Sequence, residues 1–223
     1  MYNMTNNTHL VIFTMNEKAH QIQIASIQLF EQFGYKKVSI DEIVQKANIA
    51  KGTFYLYFKN KEELYYSILE GFQEQGEQYM RTLAKTEPNL KVRLYKKLIG
   101  SLCFMTKRPI LREIALGNPL YLAPEINRQK MLEVNLRMNK ILLNKDLNQL
   151  RPDLSLEKLT IIQSFFMILI QEHQRLSYED FWRYGDKLAR VLIDGILSQS
   201  PWPEINYQDE IQQLSNYISL LNY

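Results

Sequence analysis

A chain of 223 residues, 46% apolar and 23% charged, can bury a sizeable core as one large domain or as a small one beside a larger one. Its net charge of +3 is too small for the whole surface to attract nucleic acid, so any such contact needs a local patch. The single cysteine, Cys103, excludes an intrachain disulfide and fits a reducing cytoplasm; within the apolar run 98–105 it reads as a small buried hydrophobe rather than a redox sensor.

Residues 1–16 are crowded with Asn and Thr and read as an extension, either a flexible arm or a stretch upstream of a true start at Met15. Nothing in it resembles a signal peptide, because Leu10-Val11-Ile12-Phe13 is too short and lacks a basic flank. A helix is expected from Glu17 to Phe33, ended by Gly34. Ser39-Ile-Asp-Glu42 has the form of a capping box, after which Ile40, Ile43, Val44 and Ala47 recur at helical spacing. Asn48-Ile49-Ala50 breaks that helix, and Lys51-Gly52 opens the next. Asn60 to Glu63 reads as a second capping box, starting a long helix at Lys61 that runs into the mid-80s. Two short helices joined by a tight turn form the unit that places a recognition helix in a DNA major groove. The charge is concentrated there. Residues 36–61 hold Lys36, Lys37, Lys46, Lys51, Lys59 and Lys61 against Asp41 and Glu42, a net +4 that exceeds the excess of the whole chain.

The remainder is also read as helical, with segments at 90–106, 125–150, 155–174, 178–199 and 207–221, and a short helix with loops at 107–124 where Pro109, Gly117, Pro119 and Pro124 fall. The segments 155–174 and 178–199 are apolar on more than one side, and such helices must be covered all round. Either they are central core helices of the monomer, or one side packs on the core and the other on a second subunit. Residues 159–170 are too few to span a membrane and include Thr160, Gln163 and Ser164. His9, His20 and His173 have no metal-ligand spacing, and no cofactor is implied. Catalysis has no support, since no nucleophile–base pair or Gly-rich phosphate loop is present and Glu172 and His173 would point to different faces of one helix.

The run AKGTFYLYFKNKEELY, preceded by IQIASIQLFEQFGYKKVSIDEIV, resembles the DNA-binding domain of TetR-family transcriptional regulators over about residues 20–70. Phe30 and Gly34, Ser39, Lys51-Gly52 and the Phe54-to-Glu62 run are independent agreements. The resemblance implies an all-α chain with an N-terminal three-helix helix-turn-helix domain at 17–62 and a C-terminal helical ligand-binding and dimerisation domain at 63–223. It also implies a homodimer, joined through about 155–174 and 178–199, that binds a pseudo-palindromic double-stranded DNA operator in the cytoplasm as a repressor released by a small effector. The competing reading is a dimeric small-molecule-binding protein whose helix-turn-helix serves protein interaction; the clustered lysines and the tyrosines count against it.

Lys51 can donate to a guanine edge or a phosphate, and Thr53 can offer a methyl to thymine. Gly52 has two compatible readings, a tight turn and a close approach to the sugar-phosphate chain. Tyr55, Tyr57 and Lys61 occupy positions that meet base edges or phosphates in the family, and Ser39 is both an N-cap and a candidate phosphate contact. Phe54 and Phe58 read as core anchors. Phe104, Tyr121, Met138, Phe165, Phe166 and Trp182 either line an effector cavity or are plain core; a cavity so lined would favour an apolar or amphipathic ligand.

Overall fold

The computed structural model describes residues 17–123, 128–143, 145–166, 169–197 and 206–220, so the expectations for residues 1–16, Met15 and Pro124 lie outside the described residues. Helix α1 (Glu17–Phe33) stops where Gly34 takes a φ of +84°. A Cβ at Gly34 would stand 3.0 Å from the Leu120 Cβ, so both the left-handed backbone and a close neighbour require glycine. The expected capping box starts α2 (Ile40–Lys46): Ser39 Oγ accepts the Glu42 N–H at 3.2 Å and Glu42 Oε2 accepts the Ser39 N–H at 2.7 Å. Asn48, at φ 51°, makes the turn into α3 (Lys51–Tyr57). Asn60 Oδ1 accepts the Glu63 N–H at 2.7 Å and begins α4 (Lys61–Thr86), while the Glu63 carboxylate takes the Lys59 N–H at 2.6 Å. That return bond falls one residue earlier than the expected box. At 26 residues α4 is about 39 Å long.

Helices α5 (Leu90–Lys107) and α6 (Pro109–Ala115) follow, the first capped by Asn89 and the second opened by Pro109 at a position where a missing N–H costs nothing. The helix expected to run to 150 ends earlier: α7 is described over Arg128–Leu143, and a 3-10 turn follows at Leu147–Gln149. Arg93 of α5 explains the stop: it donates to the Leu142 carbonyl at 3.3 Å and pairs with Asp146, tying down the chain after α7. The segment expected as a helix over 155–174 is helical over Leu156–Phe166, labelled α8, and over Leu169–Glu172, labelled α9. Then come α10 (Tyr178–Ile196), capped by Ser177, and α11 (Tyr207–Leu220). No strand occurs among the described residues, so the all-α reading stands.

Two cores form. The N-terminal one gathers Ile22, Phe30, Ile43, Phe54 and Phe58, and it continues past residue 62 to take in Leu64, Tyr65, Ile68 and Phe72 of α4 and Ile110, Ile114 and Tyr121 from α6 and the α6–α7 link. The second surrounds α5, whose Leu94, Tyr95, Leu98, Ile99 and Leu102 are buried against α7, α8, α10 and α11. Ile211 and Leu214 of α11 close that core. On α8 and α10, Leu159, Phe166, Phe181, Ala189 and Ile193 face the core, while Ile161, Phe165, Tyr184 and Val191 are exposed on the other side.

Candidate nucleic-acid interface and effector cavity

Phe54 and Phe58 are buried, one turn apart, and fix α3 against α1 and α2. The opposite side of α3 must then face out. Tyr55 is 50% exposed and Leu56 80%, and Lys51 and Gly52 are exposed beside them. Thr53 and Tyr57 are half-buried, Tyr57 resting on the core edge. Leu56 departs from the polar or aromatic residue that many members of the resembled family carry there, and its apolar side chain stands outward.

Gly52 corrects one expectation. Its φ is not positive and the tight turn is made by Asn48, so the fold does not need glycine for conformation. A Cβ added there would meet nothing within 4 Å. The space beside its backbone is therefore open to solvent.

Lys51 Nζ pairs with Asp41 at 2.7 Å across the helix-turn-helix, and this bond raises its pKa. Ser39 is exposed with its hydroxyl and N–H both engaged by Glu42, whose carboxyl is held below the usual range by those bonds. Lys61 is turned inward. Its ammonium donates to the Tyr35 carbonyl at 2.8 Å and the Val38 carbonyl at 2.6 Å and lies over the Tyr35 ring at 4.5 Å. Partial burial lowers its pKa. Two of its three N–H bonds tie the α1–α2 link to α4, so Lys61 has a structural task that its place in the motif did not reveal.

A cavity of about 400 Å³ lies between α4, α5 and α7. Of the six residues named from the sequence, Phe104 and Met138 line it. Tyr121 sits instead in the N-terminal core, where its hydroxyl donates to the Glu31 carbonyl at 3.2 Å. Phe166 and Trp182 are core residues behind α5, and Phe165 is 56% exposed. The helical spacing of aromatic residues did not separate these environments. The walls come from Tyr66, Leu69, Gly76, Tyr79 and Met131, with Tyr217 of α11 packed on Tyr79 at 5.5 Å between ring centres. Gly76 matters here, because a Cβ would stand 2.6 Å from the Met138 Cε.

The cavity borders the N-terminal core. Phe72, Leu111 and Ile114 line it, and Phe72 and Ile114 also belong to the N-terminal core. The link after α6 reaches the helix-turn-helix directly, as the Lys36 N–H donates to the Leu120 carbonyl at 3.0 Å. Among the described residues no helix is long and apolar enough to cross a membrane, and no cluster could hold a metal ion.

Residues 24–68 match the family described as bacterial regulatory proteins, tetR family. The chain is similar to the HTH-type transcriptional regulator YerO of Bacillus subtilis (strain 168), at 46% identity over 56 residues, which are 25% of this chain and 19% of YerO. It is 30% identical over 128 residues to the fatty acid metabolism regulator protein of the same organism, across 56% of this chain and 60% of that protein. The matched stretches span between about a fifth and three fifths of these curated relatives. Two solved structures share the fold. FadR from Bacillus subtilis in complex with stearoyl-CoA gives a TM-score of 0.65 at 19% identity, over 79% of this chain and 98% of that one. SmeT, the repressor of the Stenotrophomonas maltophilia multidrug efflux pump SmeDEF, gives 0.62 at 17% identity, over 83% and 97%.

Proposed function

We propose that this chain, whose residues 24–68 match the tetR family of bacterial regulatory proteins, is a homodimeric cytoplasmic repressor and not an enzyme. It binds a pseudo-palindromic operator through α3 and is released by an apolar or amphipathic effector held between α4, α5 and α7. The observation that carries the DNA reading is the bare, outward start of α3, where Gly52 leaves room that the fold does not use. A phosphate chain can approach the backbone there, with Lys51 and Thr53 beside it and Tyr55 and Leu56 aimed into the groove. Lys36, Lys37, Lys46 and Lys59 surround that face as exposed lysines and supply the sequence-independent attraction.

Dimerisation is supported by the outward stripe of Ile161 and Phe165 on α8 and Tyr184 and Val191 on α10. A two-fold axis through this stripe pairs the two helices with their copies in a four-helix bundle. The effector reading is supported by a mostly apolar cavity walled by α4, the helix whose first turns belong to the DNA-binding core. A ligand weakens operator binding only through its differential affinity for the state with the wrong half-site separation.

Selection of duplexes from a genomic library, followed by gel shifts at graded salt, tests the reading. A preferred site whose affinity falls steeply with salt is expected. Absence of binding at low salt would leave a dimeric ligand-binding protein instead.

A further inference from the structure

Lys97 of α5 is the one fully buried lysine without a counter-charge among the described residues. Its side chain is 2% exposed, and its ammonium donates to Asn139 Oδ1 of α7 at 2.7 Å and to Gln163 Oε1 of α8. Both acceptors are neutral amides. Asn139 in turn donates to Thr160 Oγ1 at 2.9 Å, so the cluster is closed on that side. Two donors remain. Lys97 Nζ carries three N–H groups and meets two acceptors, and Gln163 Nε2 is buried without a partner. The orientation of that amide is fixed, because an ammonium only donates and so must face the oxygen. Leaving a buried charge and a buried N–H₂ unanswered is costly, and such groups are otherwise paired.

Lys97, Asn139 and Gln163 do not themselves line the cavity; the first two lie one helical turn beyond residues that do. On α5 the lining residues Ser101 and Phe104 continue, one and two turns back, to Lys97; on α7 Asn135 continues to Asn139. The last wall before the cluster is Met138, an unbranched side chain that repacks readily, and Ser101, whose hydroxyl donates to the Lys97 carbonyl at 2.8 Å. The rest of the wall is largely apolar: Leu69, Phe72, Met80, Phe104, Met105, Met131.

We propose that the effector is a single-tailed amphiphile with a carboxylate head, the tail filling the cavity and the carboxylate passing Met138 to accept from Lys97 Nζ and Gln163 Nε2. This rests on the effector reading of the cavity given above and adds the ligand's charge and its direction of entry. A tail entering first would set a methyl group against an unpaired ammonium. A coenzyme A thioester cannot use the subsite either, because its acyl carbon carries no free carboxylate. Desolvation lowers the Lys97 pKa to about 7, with no neighbouring charge contributing. The groups bonded to it from α7 and α8 are neutral; Arg93, one turn away on α5, is paired with Asp146, and Glu77 with Arg81 and Arg137, and Asp186 with Arg190, are paired among themselves. Near pH 8 the free protein therefore holds Lys97 mostly neutral, and an arriving carboxylate draws a proton onto it.

The test is calorimetric titration of the full chain with decanoate, decanol, decanoyl-coenzyme A and decyltrimethylammonium, below their micelle concentrations. Decanoate should bind at least ten-fold tighter than decanol and take up close to one proton at pH 8, read from buffers of different ionisation enthalpy. Lys97→Met should erase both the preference and the uptake while decanol still binds; Gln163→Leu should reduce the preference in the same direction. Equal binding of decanoate and decanol by the wild type, a preference for the cation or the thioester, or a carboxylate preference that survives Lys97→Met or Gln163→Leu overturns the subsite and leaves the cavity reading intact. Binding of none of the four overturns both.

Discussion

The Tyr65 phenol donates to the Tyr121 carbonyl at 2.8 Å, fastening the start of α4 to the link that follows α6 inside the N-terminal core. The two rings of Tyr35 and Tyr65 stack at 4.4 Å beside that bond, so a segment that follows the cavity-lining helix α6 is held against the helix-turn-helix. Tyr65→Phe keeps the ring and orphans the carbonyl, at a cost of about 1–3 kcal/mol. Amide exchange should speed up at residues 118–121 and stay unchanged in α5. Equal protection in both would detach the link from this role.

Gly52→Ala separates DNA binding from folding. Alanine in a helix is favoured over glycine by about 0.5–1 kcal/mol, and nothing in the fold opposes the added Cβ. The variant should melt at the same temperature or higher and lose operator affinity. Unchanged affinity would remove close approach as the reason for the glycine.

Lys61 and Lys51 should behave oppositely. Lys61→Met removes two carbonyl partners and a cation–π contact and should destabilise the N-terminal core by about 1–3 kcal/mol, lowering its melting temperature without DNA present. Lys51→Met breaks only an exposed, solvent-screened ion pair, so it should leave the melting temperature unchanged and act on operator binding instead.

For the dimer, the informative substitutions are Phe165→Glu and Val191→Glu, both on the outward stripe. Light scattering should give a folded monomer. Phe166, the neighbouring aromatic named from the sequence, is fully buried, and Phe166→Ala should cost about 3–5 kcal/mol as a packing loss. A dimer that survives Phe165→Glu and Val191→Glu together would place the interface elsewhere.

Lys97 gives stability a pH dependence. Its pKa in the folded chain is about 7, below the ordinary value of 10.5, so between those limits the unfolded chain binds more protons. That contribution makes stability rise with pH from about 7 towards 10.5, and it is flat below 7 because both states are then charged. Lys97→Met should therefore raise the melting temperature most below pH 7, with the gain shrinking as pH approaches 10. Thermal melts of both proteins across that range check the sign.

Helix starts were legible because capping is local: Ser39 with Glu42, Asn60 with Glu63 and Ser177 with Asp180 announce themselves within four residues. The end of α7 was not, since Arg93, far off in the chain, holds Asp146. The same distinction divides the sites. On one short helix such as α3, spacing predicts which residues turn inward, as Phe54 does, and which turn outward, as Lys51 and Tyr55 do. The cavity is assembled from α4, α5, α7 and α11, and whether an aromatic residue turns toward it depends on the rotation of each helix about α5. Lys97 escaped notice for a further reason: a lysine in an apolar run reads as a solvated stripe until its neighbours show that no water reaches it.

The Asp41–Lys51 pair changes how DNA affinity should respond to ionic strength. A lysine that reaches a phosphate from open solvent displaces a condensed cation from the duplex, and each such contact steepens the fall of affinity with salt. Lys51 arrives already neutralised by Asp41 and must exchange one anionic partner for another. The freed carboxylate, left beside the phosphates, holds a cation of its own. That contact therefore releases fewer ions in total than a free lysine would, and counting the lysines around α3 overstates the salt slope. Asp41→Asn should raise affinity and make its dependence on salt steeper, a direction opposite to the one expected from removing any of the lysines.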